Sequence, residues 1–343
     1  MTRRVGPVGM RDVAAAAGVS VTTVSDALNG KGRLPQQTRD HVRAVARRLG
    51  YRPSLTARSL ASGRTGNLAL TISTQEGSTF AFGALDYFVQ LMSSATSTAL
   101  EHGYALSLLH RDSNQLSLDL PVDGAIVVDP VVDDMTLSQL QAQRVPTVTT
   151  GRDPAREDGA CQVDNDHVAG TEKVLDHLER AGAGRIALIS GPPVHSYIVD
   201  GVRAYEDWCA RRGHAPIHSV ARYSQTEAAG YAAAADLLIR RDRPDAIYAT
   251  LDRLALGAAL AARAHELAVP EDLLLAGLGD SEASRTATPP LTTLALNPTA
   301  IAQRAVEMLV ALVEDRPVAE PQVTVPTRVI ARKSTRQSAT RVR

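Results

Sequence analysis

Residues 10–66 read MRDVAAAAGVSVTTVSDALNGKGRLPQQTRDHVRAVARRLGYRPSLTARSLASGRTG, and the organisation of the whole chain follows from them. The run 10–17, MRDVAAAA, is alanine-rich with Met10 and Val13 on one side, which predicts a short helix. Gly18 ends it, because glycine takes the left-handed turn conformation without steric cost. Val19 plugs the turn, and Ser20 can cap a second helix over 21–29, VTTVSDALN. There Val24, Ala27 and Leu28 stand at i, i+3 and i+4 and form a buried stripe. Val21, Thr22, Ser25, Asp26 and Asn29 are left pointing outward. Pro35 or Gln36 opens a third helix to about Leu49, with Val42, Val45, Ala46 and Leu49 on its apolar face, and Gly50 stops it. Two short helices joined by a glycine turn, the second with a polar outer face, have the geometry that enters a DNA major groove. The same pattern also suits a plain three-helix bundle whose charges are merely solvated.

Charge separates these readings better than shape. The 343 residues carry 37 basic and 37 acidic side chains, yet the balance is uneven along the chain. Residues 1–60 hold 11 basic and 3 acidic groups, residues 61–327 hold 20 and 34, and residues 328–343 hold 6 and none. A basic head on an acidic body fits a chain in which one small domain meets a polyanion while the rest repels it. The length suggests two or three compact units. With only Cys161 and Cys209, a disulfide scaffold and a zinc ribbon are excluded, and a reducing compartment fits. No apolar run approaches the roughly 20 residues of a membrane span, and the first ten residues have no secretory apolar core, so a soluble cytoplasmic protein is expected.

The spaced pattern DVA, AGVS, TVS, LNGK, LGY, PS and ARSL across residues 12–60 resembles the DNA-binding head of the lactose-repressor/purine-repressor (LacI/GalR) family of transcription factors. The resemblance implies a homodimeric transcriptional repressor that binds a pseudo-palindromic operator in double-stranded DNA. Val21, Thr22 and Asp26 are then the expected base-reading residues. Thr23, Ser25, Asn29, Lys31 and Arg33 are expected to position phosphates. The family usually carries Arg where Asp26 stands. Arg reads guanine bidentately, whereas Asp accepts, for instance from cytosine N4, so a different operator is expected. The alternative for Asp26 is a pairing role within the head. Ser54 can cap one or two turns ending at Gly63, and the resemblance makes this a hinge helix that folds when two copies pair on DNA. Leu60 would wedge into the minor groove and Arg58 would lie near the backbone. Ser20, Thr38, Tyr51 and Ala57 complete the expected DNA-contact set.

Beyond Arg64 short apolar runs alternate with helical patterns, which implies parallel sheets covered by helices on both faces. Strands are expected at 68–73, 104–109, 124–128, 147–150, 185–190, 246–249 and 273–277. Helices are expected, among others, at 85–101, 167–180, 201–212, 227–240 and 254–265. VDGAIVV (122–128), VDNDHVAG (163–170), GRIALISG (184–191), VPEDLLLAGLGD (269–280) and PPLTTLALNP (289–298) are similar to the same family's effector domain. The expected fold is therefore α/β: an N-terminal all-α helix-turn-helix head plus a two-lobed, periplasmic-binding-protein-like (type I) effector domain. Its parts are 1–53 head, 54–64 hinge, 65–330 lobes with crossings near 161, 289 and 321, and 331–343 a disordered basic tail without tetramerising heptads.

The resemblance places a small-molecule effector between the lobes, at the carboxyl ends of the strands. The expected contacts are Phe80, Phe82, Tyr87, Arg152, Tyr197, Ile198, Leu251, Asp252, Gly279 and Asp280. Four positions depart from the sugar-binding pattern: Ile198 replaces a ligand-gripping Arg, Leu251 an Asn, Gly279 an Asp, and Gly151 an acidic residue. Each lost hydrogen bond is worth roughly 1–3 kcal/mol. The effector is therefore expected not to be a simple neutral hexose but a more apolar or differently charged metabolite. Control by a protein partner, and a ligand-binding role without DNA, are the alternatives. The aromatic segment around Tyr87 and Phe88 could equally pack its helix, and Asp252 could serve as a helix cap or supporting group. Asp164, Asp166 and His167 give only a weak catalytic signal, and Asp164 and Asn165 match the family's Asp-Asn pair at a lobe crossover. With no phosphate loop, HExxH or GxSxG element, neither enzyme activity, nor a cofactor, nor a metal is expected.

Overall fold

The computed structural model describes residues 8–29, 34–51, 64–73, 86–109, 111–112, 115–116, 120–156, 161–221 and 225–336. Two compact units divide between Gly66 and Asn67. The first contains α1 (Met10–Ala17), α2 (Val21–Asn29) and α3 (Gln36–Arg48). Its core is Val13, Ala14, Ala17, Val24, Ala27, Val42, Val45 and Ala46, with Val19, Leu28, Leu49 and Tyr51 packed around it. Gly18 takes φ +66°, as the turn requires. The Thr23 amide donates to Ser20 Oγ at 3.0 Å, which caps α2.

The second unit holds two sheets. The first has the order β13-β7-β6-β5-β1-β2 and is parallel throughout. Its strands are β1 (Asn67–Ile72), β2 (Ala105–Leu108), β5 (Gly124–Val128), β6 (Thr147–Thr150), β7 (Gln162–Asn165) and β13 (Gln322–Val325). A two-stranded hairpin, β3 (Arg111–Asp112) with β4 (Gln115–Leu116), follows β2. The second sheet runs β14-β12-β11-β10-β8-β9, parallel except for the β12–β14 pair. It comprises β8 (Ile186–Ser190), β9 (Ile217–Val220), β10 (Ala246–Ala249), β11 (Leu274–Leu278), β12 (Thr292–Ala295) and β14 (Arg328–Ile330).

Alternate residues of each strand feed opposite layers, which is why central strands such as β5, β8, β10 and β11 read as unbroken apolar runs. Leu68, Leu70, Ile126 and Val128 pack under α4 (Asp86–Glu101) and α11 (Pro298–Val313). Ala69, Ala125 and Val127 pack on Leu140 of α5 (Met135–Ala142). In the second lobe Leu188 and Tyr248 face α6 (His167–Arg180) and α7 (Ser196–Arg212). Ile189 and Ile247 face α8 (Glu227–Leu238) and α9 (Asp252–Ala264). The short α10 (Glu282–Thr286) follows β11.

Three differences from the sequence reading matter. The chain changes lobe between β7 and α6, between β12 and α11, and between β13 and β14, so the crossings fall near 166, 297 and 326 rather than 161, 289 and 321. The shift arises because β7, β12 and β13 each complete a sheet before the chain leaves it. The segment after 330 is held as far as Arg336. Ser334 is fully buried and its Oγ donates to the Leu275 carbonyl at 2.6 Å, while Arg332 pairs with Asp280. Finally, α7 begins at Ser196, five residues before the expected start, because His195 precedes it in an extended conformation without a side-chain cap to mark the boundary. Among the described residues no helix is long and apolar enough to cross a membrane.

Candidate nucleic-acid interface and effector cleft

In the head, α2 presents Val21 and Thr22 as exposed residues, while Ser25 and Asp26 are half-buried. Val21 is 41% exposed, although it is apolar and stands at the first turn of a helix. Ser20 is exposed, and Thr23, Thr38 and Tyr51 are half-buried. Lys31, Arg33, Ala57, Arg58 and Leu60, with the expected hinge helix, lie outside the described residues, as do Phe80 and Phe82. The side chain of Asn29 is likewise outside them.

In the second unit the carboxyl ends of β1, β5 and β6 face those of the other lobe. Arg152, just after β6, reaches Asp200 of α7 with two parallel bonds, Nη1–Oδ2 and Nη2–Oδ1, each 2.6 Å. Beside it Ser196 Oγ accepts from the Arg152 amide at 3.2 Å and donates to Asp164 Oδ2 at 3.5 Å. The lobes also meet through main chain. Val131 and His195 form an antiparallel bridge, the Val132 amide donates to the Val194 carbonyl at 2.9 Å, and His195 Nδ1 lies 3.0 Å from the Asp129 carbonyl oxygen. On α4, Asp86 accepts from the Glu282 amide at 2.5 Å and stands 3.6 Å from the Arg285 guanidinium.

Inside this frame stand Asp129 and Asp164. Burial pushes both carboxyls up to about 7, helped in Asp129 by the charge of Asp164. Tyr87 accepts from Asn165 Nδ2 at 3.4 Å. The Tyr197 ring stacks on His195 at 5.5 Å and lies 5.8 Å from His167. Burial raises both tyrosine hydroxyls, with Asp129 adding to the effect. His167, 3.6 Å from Asp164, is pushed down to about 4 by burial, so it is neutral at physiological pH.

Of the residues expected at the cleft, Tyr87, Arg152 and Tyr197 therefore belong to one grouping around Asp129 and Asp164. Asp252 belongs to another. It is 2% exposed and accepts from the Ser281 amide, Ser281 Oγ and Thr293 Oγ1 at 2.7, 3.0 and 2.7 Å. Gly279 lies against it, and a Cβ there would stand 3.7 Å from Asp252 Oδ2. Ile198 is fully buried, Leu251 is half-buried, and Asp280 is paired with Arg332. Phe88 is 7% exposed and packs in the first-lobe core.

Asp129, His195, Asp200 and Gln225, whose amide nitrogen donates to the Tyr197 hydroxyl at 3.1 Å, were not singled out from sequence. The signal for Asp129 was available: it directly follows the apolar strand GAIVV, at the strand end where α/β folds bind ligands. Gly151 takes φ +78°, and a Cβ there would stand 3.3 Å from both Asp129 Oδ1 and Ser196 Oγ, so a side chain at this position would be strained and would crowd both groups.

A small helical DNA-binding head joined to a two-lobed ligand-binding body defines a ligand-responsive class of DNA-binding proteins. Residues 9–54 match the model of bacterial regulatory proteins of the lacI family, and residues 175–335 match a periplasmic binding protein-like domain. The chain is 30% identical over 303 residues to the HTH-type transcriptional regulator CelR of Thermobifida fusca, covering 86% of this chain and 88% of that one. The lac repressor dimer bound to operator and the anti-inducer ONPF superposes with a TM-score of 0.80 at 25% identity, covering 96% of this chain and 99% of that one. The complex of the regulator CelR with cellobiose gives 0.71 at 26% identity, covering 95% and 99%. The chain belongs to the LacI family and is a DNA-binding transcriptional regulator.

Proposed function

We propose that the protein represses transcription as a homodimer, reading a pseudo-palindromic operator through α2 and answering to a small metabolite in the cleft between its lobes. The single observation that carries the effector reading is the cleft itself. Its two lobes meet through the bidentate Arg152–Asp200 pair, the Asp86–Arg285 pair and a small set of hydrogen bonds, and buried polar groups converge between them. Such a contact can exist in two arrangements, and a ligand shifts their balance by its difference in affinity, typically about 1–3 kcal/mol. The relatives support the rest: one is seen as a dimer on operator with an anti-inducer, another with cellobiose. In the head, Val21, Thr22 and Asp26 read base edges, Val21 through a thymine methyl and Asp26 as an acceptor. Thr23 and Ser25 position the backbone, together with Lys31 and Arg33, while Leu60 opens the central step from the minor groove.

The test is fluorescence anisotropy of the full-length protein with inverted-repeat duplexes drawn from its own genome, against random-sequence competitor at moderate salt. Tight binding to one duplex class with a two-fold stoichiometry is expected. Equal affinity for all duplexes would overturn the proposal.

A further inference from the structure

Among the described residues the cleft gathers three carboxyls around one guanidinium. Asp129, Asp164 and Asp200 converge there, and the Arg152 guanidinium has both terminal nitrogens on Asp200. Asp129 has no hydrogen-bond partner for its carboxylate among the described residues. Among the described residues Asp164 accepts from the adjacent Asn165 amide at 2.7 Å and from the Ser196 hydroxyl at 3.5 Å, and the Arg152 charge acts on it from nearby. His167, 5% exposed, stands between Asp164 and Tyr197, and its buried Nδ1 has no hydrogen-bond partner among the described residues. It is neutral and supplies no counter-charge.

A neutral polyol closing this cleft would donate hydrogen bonds but bring no opposite charge to two buried carboxyls that are only partly ionised at neutral pH. Ionising them there is costly unless an opposite charge enters. An organic cation reverses the sign of that cost, and the aromatic faces of Tyr87 and Tyr197 offer it a second favourable contact. We infer that the cleft takes a small metabolite bearing an ammonium or amidinium group, held between the carboxylates of Asp129 and Asp164 with the Tyr87 and Tyr197 rings beside it. This rests on the reading of the cleft as the effector site, and it gives that site its ligand chemistry.

The experiment is a thermal-shift comparison of matched probes on the full-length protein at neutral pH: tyramine against 4-hydroxyphenethyl alcohol, glucosamine against glucose, and putrescine against 1,4-butanediol, with cellobiose added as a neutral disaccharide. At least one amine is expected to raise the melting temperature where its uncharged counterpart does not. Asp129→Asn and Asp164→Asn, which keep shape and remove charge, should each weaken that amine at least tenfold. Their own melting temperatures should be no lower than the parent's, which separates lost binding from lost folding. If no amine exceeds its counterpart, the inference is overturned, while the operator measurement still decides the regulator reading. If glucose or cellobiose stabilises the protein and Asp129→Asn leaves that stabilisation intact, the cleft remains an effector site but not one for a cation.

Discussion

Arg152 and Asp200 clasp each other across the cleft through two parallel hydrogen bonds of 2.6 Å, one residue from each lobe. The guanidinium side chain is 35% exposed and the carboxylate 17%, so the pair is partly screened and contributes about 1 kcal/mol. That is enough to move an open–closed balance about fivefold. Asp200→Asn is expected to widen the lobe separation detected by small-angle X-ray scattering in the absence of ligand. Scattering curves identical to those of the parent would show that the pair does not hold the lobes.

Stability should depend on pH in a window set by the buried acids. Asp129 and Asp164 ordinarily titrate near 3.8 and are raised to about 7 in the folded protein. The folded state therefore binds more protons between these values. The stabilisation is complete below about 4 and is lost as pH rises through about 7. His167, lowered from 6.5 to about 4, acts with the opposite sign, and its burial costs stability only as pH falls below 6.5. Burial also lowers His177, His195 and His218, which act with the sign of His167, so the carboxyl contribution is read from the difference between the parent and Asp129→Asn. The melting temperature of the parent relative to that of Asp129→Asn should fall as pH rises from about 4 through about 7. A difference that stays constant over that range contradicts the raised Asp129 carboxyl.

Asp252 supports the second lobe from inside. Asp252→Ala removes one acceptor group and strands three donors, on Ser281 and Thr293, at a site 2% exposed. A loss of about 3–5 kcal/mol in urea unfolding is expected. A loss below about 1 kcal/mol would mean that water replaces the carboxylate there.

Two helices of the second lobe touch backbone to backbone. A Cβ on Gly257 of α9 would lie 2.1 Å from the Glu227 carbonyl oxygen of α8, and one on Gly230 would lie 2.3 Å from that of Leu254. Alanine gains about 1 kcal/mol in helix propensity, yet it must push two rigid helices apart. Gly257→Ala should therefore destabilise by about 2 kcal/mol or more, measured by chemical denaturation. A stabilised variant would refute the close contact.

Asp26 gives the sharpest test of the head. Asp26→Ala, selected against a library of operator half-sites, should relax the preference at one base pair, at about 1–3 kcal/mol. Unchanged base preference would assign Asp26 a role inside the head.

The head and the sheet centres were legible because their physics is local. Gly18, Ser20 and the Val24–Ala27–Leu28 stripe each carry their own signal, and all three stand where expected. Strands β5 and β10 were readable to the residue because they are apolar on both faces, and β6, TVTT, because its four residues are all β-branched. The strands β7, β9 and β13, QVDN, IHSV and QVTV, alternate with polar residues and sit toward sheet edges, so four residues of pattern could not separate them from loop. The cleft was half-visible. Tyr87, Arg152 and Tyr197 were reached through the family resemblance, which placed them near the cleft mouth. Asp200 was hidden in the first turns of a helix whose start carries no cap, and the partnership of Asp129 with Asp164 joins residues from two strands that no spacing rule connects.

The three passages of the chain between the sheets mean that neither lobe is a contiguous stretch of gene. The first is assembled from residues 67–165 and 298–325, the second from 166–295 and 328–336. A single recombination point cannot transplant one ligand-binding half from a relative. A chimaera that changes metabolite preference must exchange both pieces of a lobe together or leave a sheet missing one of its edges.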